Sequence, residues 1–252
     1  MTKPAAHARA TLLLATTMLA PAAALAQPLP PEGELALEAI DVAGLKAGSA
    51  RGDTVGYLTR RTASATRTDT PLINTPQSVT VVTQAQIRDQ GFQSLTEAIR
   101  YVPGVIPHQG EGNRDDVVIR GQRSNADFYV NGIRDDVQYF RDLYNIERIE
   151  VLKGPNAMIF GRGGGGGVIN RVLKEADGVP IREIVAQGGA FDNKRLALDI
   201  GDRFSDSAFF RLNGVVEDTG TYRDFGHIRR YGINPTGTLL LGPDTVLKLS
   251  YE

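Results

Sequence analysis

The sequence predicts an α+β domain followed by the first antiparallel strands of a transmembrane β-barrel, with the barrel incomplete inside 252 residues. Three observations lead there. Residues 71–175 mix capped short helices with short strands, the pattern of a compact mixed domain. From Ile181 onward, apolar and charged residues alternate with period two over successive segments, the signature of half-buried strands. The chain also opens on an export signal, and an exported protein with no long apolar helix enters a membrane only as a closed barrel, which pairs all its backbone groups in lipid.

The export signal occupies residues 1–26. Lys3, His7 and Arg9 precede an apolar run from Leu12 to Leu25 that Pro21 interrupts, and Ala24-Leu25-Ala26 ends it before Gln27. Small residues at these positions fit a signal peptidase, so cleavage is expected after Ala26. The run is too short and broken for an anchor, and no other stretch approaches the roughly 18 apolar residues of a spanning helix.

Residues 27–70 are rich in Pro, Gly, Ala, Thr and Arg without apolar periodicity, and are expected to form an extended, largely mobile periplasmic arm. Within it Leu37, Glu38, Ala39, Ile40, Asp41, Val42 and Ala43 make one strand-capable patch. Such a patch suits addition to the sheet edge of a partner, or it is a stray surface strand.

In the α+β domain, Ser78 to Val82 reads as a strand. Thr83-x-x-Gln86 and Ser94-x-x-Glu97 then form two capping boxes, which predict short helices over about 84–90 and 95–101. Val102-Pro103-Gly104 stops the second. Beyond a polar loop, Val117–Arg120, Phe128–Val130 and Glu147–Leu152 read as strands, with Asn131-Gly132 as a hairpin turn.

The barrel strands follow from the alternation. Leu196, Leu198 and Ile200 alternate with Arg195, Ala197 and Asp199; Phe210, Leu212, Gly214 and Val216 alternate with Arg211, Asn213 and Glu217. Tyr231, Ile233 and Leu239 then oppose Arg230, Asn234, Thr236 and Thr238, and Leu247, Leu249 and Tyr251 oppose Lys248 and Ser250. Four strands and part of a fifth are expected, with Gly242-Pro243-Asp244 as a turn. A soluble sandwich shares this alternation, and the export signal with its repeated long polar side chains on one face favours the membrane version.

Composition excludes several function classes. Lys+Arg 28 against Asp+Glu 29 leaves no basic excess for nucleic acid. With no cysteine there is no disulfide, thiol chemistry or Cys-based metal site. Gly161 to Gly167 formally contains G-x-G-x-x-G, but Val168 to Leu173 reads as a strand, so no helix N-terminus follows to hold a pyrophosphate. The glycines are expected instead where backbone passes close to backbone or takes positive φ. No hydrolase or zinc-protease motif is present, and no catalytic residue is assigned.

Several segments resemble, in order, the plug domain of TonB-dependent ferric-siderophore receptors. They are Thr75 to Val82, Leu95-Thr96-Glu97-Ala98-Ile99 with Val102-Pro103-Gly104-Val105, Ile119-Arg120-Gly121, Tyr129 to Asp135, Ile146 to Pro155, and Phe160-Gly161-Arg162-Gly163 with Gly167-Val168-Ile169-Asn170. The strands after Ile181 resemble the start of that family's barrel. The resemblance implies an outer-membrane importer of ferric siderophore, with the plug filling a barrel of about 22 strands. It implies energy from TonB of the TonB–ExbB–ExbD complex, with Leu37 to Ala43 as the TonB box. Only Gln27 to Ala36 precede that box, so no signalling domain is expected. By family position, His108, Gln109, Arg114, Gln122, Arg123, Tyr139, Phe140 and Arg141 fall in ligand loops, where aromatic rings and guanidinium groups suit an anionic ferric catecholate. Iron is then expected as a chelate, with no cofactor and no protein metal ligand. Arg120 and Lys153 match positions that bridge to acidic wall residues, on strands beyond this chain. A stand-alone periplasmic binding module and a cobalamin receptor are the alternatives.

Overall fold

The computed structural model describes residues 54–108, 112–161 and 165–252. The expected signal peptide, the Leu37 to Ala43 patch and Gln109 lie outside the described residues.

Residues 54–70 differ from the mobile arm expected for them. They form two short ladders, β1 (Thr54–Val55) with β2 (Leu58–Thr59) and β3 (Arg61–Thr62) with β4 (Thr70–Pro71). Polar bonds are the main anchors, beside buried Ala65. The Thr62 hydroxyl donates to buried Glu150 at 2.9 Å, and the Asn170 amide donates to Ser64 Oγ at 2.7 Å. Polar side chains of this kind leave no hydrophobic periodicity in the sequence.

The α+β domain is organised by a five-stranded sheet in the order β10-β9-β12-β11-β5. Its members are β5 (Ser78–Thr83), β9 (Phe128–Val130), β10 (Ile133–Arg134), β11 (Ile146–Lys153) and β12 (Gly167–Leu173). All neighbours are antiparallel except β12 with β9. Helices α1 (Gln84–Asp89) and α2 (Leu95–Ile99) start where the capping pattern places them. Ser94 and Glu97 complete a reciprocal box, whereas Thr83 only accepts from the Gln86 amide at 3.2 Å. Ile87, Leu95 and Ile99 join Val82, Ile149, Val151 and Ile169 in the main apolar core. On the opposite sheet face Tyr129, Leu152, Phe160 and Val168 make a smaller core with Ala65.

Beside this sheet lies a three-stranded one, β6 (Val105–His108), β7 (Asp116–Ile119) and β8 (Gln122–Ser124), in that order. β6 falls in what reads from sequence as a polar loop. It carries Pro107, which an edge strand tolerates because one side of its backbone needs no partner. The hairpin at Asn131-Gly132 is present, with both residues at positive φ (49° and 81°) as a tight two-residue turn requires. A single turn, α3 (Ala157–Phe160), was not signalled by any cap or periodicity. At the end of the glycine run the expectation of close backbone approach holds: Gly167 opens β12, and a Cβ there would lie 2.6 Å from the Leu152 carbonyl oxygen.

From Ile181 the chain forms an open antiparallel meander. It comprises β13 (Ile181–Gly189), β14 (Asn193–Ser205), β15 (Ala208–Gly220), β16 (His227–Gly242) and β17 (Thr245–Ser250), each paired with the next. Its two faces are reversed relative to a soluble protein. Arg195, Asp199, Arg211, Asn213 and Glu217 are buried, while Leu196, Val216, Tyr231, Ile233 and Leu249 are exposed. Apolar side chains out and charged side chains in are what a lipid-facing wall requires, which decides between the sandwich and the barrel. The sheet does not close on itself, so the barrel is partial. Among the described residues no helix is long and apolar enough to cross a membrane.

Candidate functional site

The inward face of the wall is built in rows, because antiparallel register sets residues of neighbouring strands side by side. Arg195, Glu217 and Arg230 form one such row across β14, β15 and β16, and Ala197, Val215 and Gly232 form the next inward-facing row. Two residues further along β14 stands Asp199, with Asn213 and Asn234 beside it. These rows hold the α+β domain.

Asp142, in the loop before β11, enters the first row. Arg195 donates to it through both terminal nitrogens, at 2.7 and 2.6 Å, and also to Glu217 at 2.7 Å. Arg230 bridges the same two carboxylates, at 3.4 Å to Asp142 and 2.8 Å to Glu217. The Leu143 and Tyr144 amides donate to Asp142 at 2.7 and 2.9 Å, which fixes the carboxylate's direction. The side chains of Arg195, Glu217 and Asp142 are at most 10% exposed, so each charge depends on the others for solvation. In the next row the Tyr144 ring lies against Gly232, where an added Cβ would come within 3.0 Å of it. Burial pushes the Tyr144 phenol above its ordinary range, so it stays neutral.

Lys174, just after β12, makes the second anchor. Its ammonium reaches Asp199 at 2.9 Å and donates to the Tyr144 carbonyl at 2.9 Å. Asp199 also receives two bonds from Arg211, at 2.8 and 2.7 Å, and Arg211 donates to the Glu175 carbonyl at 3.2 Å. Burial lowers the Lys174 pKa, opposed by Asp199. Glu175 further pairs with Lys248 on β17. None of these wall contacts was singled out from sequence. Their only sequence signal is opposite charges at matching inward positions of successive strands.

The loop residues assigned by resemblance gather in two adjoining groups. In the first, His108 lies 3.7 Å from Asp116 and Arg123 donates to the same carboxylate at 2.6 Å, across β6, β7 and β8. In the second, Tyr139, Arg141 and Arg171 surround Asp135: Arg141 and Arg171 donate to it at 2.9 and 2.7 Å, and the Tyr139 hydroxyl at 3.2 Å. Asp115 joins the groups, since its amide donates to the Tyr139 carbonyl at 3.1 Å and its carboxylate accepts the Arg141 amide at 2.7 Å. Burial raises the pKa values of both Asp115 and the Tyr139 phenol.

One expectation needs correction. Arg141 is not a ligand-facing loop cation: it is 0% exposed, its guanidinium lies 4.0 Å over the Phe128 ring, and its bonds end on Asp135 and nearby carbonyls. A side chain so committed holds the loop's shape. Arg120 and Lys153, expected to bridge to strands beyond this chain, make contacts within the plug among the described residues. Lys153 donates to Thr80 Oγ1 at 3.1 Å and the Pro103 carbonyl at 3.3 Å, while exposed Arg120 lies beside Gly154. Of the remaining assigned residues, His108, Gln122 and Arg123 are exposed and Arg114, Tyr139 and Phe140 are half-buried. Among the described residues no group of His, Asp or Glu side chains gathers as a metal site.

Known proteins are similar to this chain in sequence and fold. The family model for the TonB-dependent receptor plug domain matches residues 71–168. The probable TonB-dependent receptor BfrD of Bordetella pertussis is 37% identical over 182 residues, 70% of this chain and 24% of its own length. The catecholate siderophore receptor Fiu of Escherichia coli K12 is 33% identical over 187 residues, 72% of this chain and 25% of its own. The closed-form crystal structure of Fiu matches with a TM-score of 0.72 at 30% identity, over 77% of this chain and 28% of that one. The chain thus spans about a quarter of the length of the curated relatives it matches. The plug-domain match over residues 71–168, together with receptors of this kind that match 70–77% of the chain and a plug bonded to the polar face of a partial barrel wall, places the chain in the family of TonB-dependent receptors.

Proposed function

We propose that this chain serves as the plug and first wall strands of an outer-membrane importer of ferric siderophore, of the catecholate class. The observation that carries the reading is the wall itself, with its apolar face outward, its charged face inward and a plug domain bonded to that inner face. The catecholate class rests on the similarity to the receptor Fiu and on exposed His108 and Arg123 close to half-buried Tyr139 and Phe140, which offer ring and cation contacts to an aromatic anion. Iron enters as the chelate and is cargo, so the protein supplies no metal ligand and no cofactor.

Transport in this reading needs no covalent chemistry. Siderophore settles on the plug loops, TonB of the TonB–ExbB–ExbD complex pairs with Leu37 to Ala43, and the pull rearranges the plug to open a passage. Deleting Leu37 to Ala43 from the intact receptor should leave surface binding of an iron(III) tris-catecholate unchanged and abolish its energised uptake by cells. Undiminished uptake would overturn the box assignment. Loss of both binding and uptake would mean that the segment has a structural role.

A further inference from the structure

The first row of the wall is electrically balanced only while the plug is seated. Arg195 and Arg230 face two carboxylates, of which Glu217 belongs to the wall and Asp142 to the plug. The neighbouring charges do not compensate, because they are already matched as Lys194 with Asp192 and Arg229 with Asp218. When Asp142 leaves, the row keeps a net positive charge on the inner face of the passage. It also keeps a vacated pair of parallel guanidinium donors on Arg195. Arg230 adds a buried Nε that finds no hydrogen-bond partner among the described residues even in the seated state. The donors are already arranged for a bidentate anion, since that is how they hold Asp142. A crevice of about 200 Å³ runs between plug and wall at this level, lined by Arg195, Lys174, Gln93 and Gln187 among others.

We propose that Arg195 and Arg230 form a transit subsite for the anionic chelate, holding the plug shut through Asp142 and taking the cargo's anionic oxygens in its place once the plug moves. The proposal rests on the import reading and deepens it. The occupant is an anion with paired oxygens on one edge, which a ferric tris-catecholate presents and a neutral or cationic chelate does not. The arriving anionic edge takes the bidentate place that the carboxylate vacates, which offsets the positive charge the row keeps when Asp142 leaves.

The test uses the intact receptor in a planar bilayer with its plug displaced by urea, and iron(III) tris-catecholate as a blocker of ion current. The double substitution Arg195→Gln and Arg230→Gln should raise the half-blocking concentration at least tenfold. The pair Arg195→Lys and Arg230→Lys, which keeps the charge but loses the planar fork, should raise it by a smaller factor. Equal block by the unaltered and double-Gln receptors would overturn the subsite. If the double variant fails to insert, Arg230→Gln alone decides: a rise of threefold or more supports the subsite and no change refutes it. Iron uptake by cells carrying the unaltered receptor separates the two readings. Uptake together with arginine-independent block refutes the subsite alone, whereas arginine-dependent block without uptake refutes import alone.

Discussion

Asp142 concentrates the consequences of this arrangement in one side chain. It is the plug's single contribution to a four-charge cluster, and two backbone amides aim it. Asp142→Ala should therefore weaken plug seating by about 3 kcal/mol, because it leaves buried Arg195 and partly buried Arg230 sharing Glu217 as their one carboxylate in the row. A lower urea concentration for plug release, read as channel opening in a bilayer, checks this. Gly232 is the steric counterpart. Gly232→Val would drive a side chain into the Tyr144 ring and should cost about 1–3 kcal/mol of the same seating. Asp115 carries a pH signature. Burial raises its pKa above 3.8, so the folded state holds this proton more tightly than the unfolded state does. Its contribution to stability is complete at low pH and falls as pH rises from about 4 through the folded value. The stability of the unaltered protein relative to Asp115→Asn should decline over that interval in pH-dependent unfolding, and a rising difference would contradict the assignment.

At the scale of elements, the parts readable from sequence are those whose information is local. The box at Ser94 and Glu97 announces α2, the Asn131-Gly132 turn announces the β9–β10 hairpin, and period-two patterning announces four of the five wall strands and the start of the fifth. Ser94→Ala should cost about 1 kcal/mol, measurable as a shift in the urea midpoint, since it leaves the Glu97 amide without its cap. What escaped is non-local. The segment carrying β3 looks mobile because its anchors, Thr62 on Glu150 and Ser64 with Asn170, are single polar bonds across 88 and 106 residues. Arg141 looks like a ligand cation because a loop position and an arginine fit one; its burial under Phe128 and Tyr139 follows only from how the loop folds back. The Asp142 and Lys174 anchors depend on which wall row faces which plug residue, a register that no local pattern encodes.

Across the whole molecule, one inversion organises everything else. The wall turns its charged face to the plug and most of its apolar residues away, so buried ion pairs anchor the plug, with the Tyr144 ring against Gly232 beside them. That arrangement suits the proposed import function, in which the plug stays seated at rest and moves under load. The most direct measurement of the inversion uses the absence of cysteine in this chain. Single cysteines at Phe210, Leu212, Arg211 and Asn213 of β15, spin-labelled in the intact receptor in bilayers, report accessibility to oxygen dissolved in lipid. The account predicts high oxygen accessibility at positions 210 and 212 and low accessibility at 211 and 213. Uniform accessibility along the strand, or the opposite alternation, would contradict it.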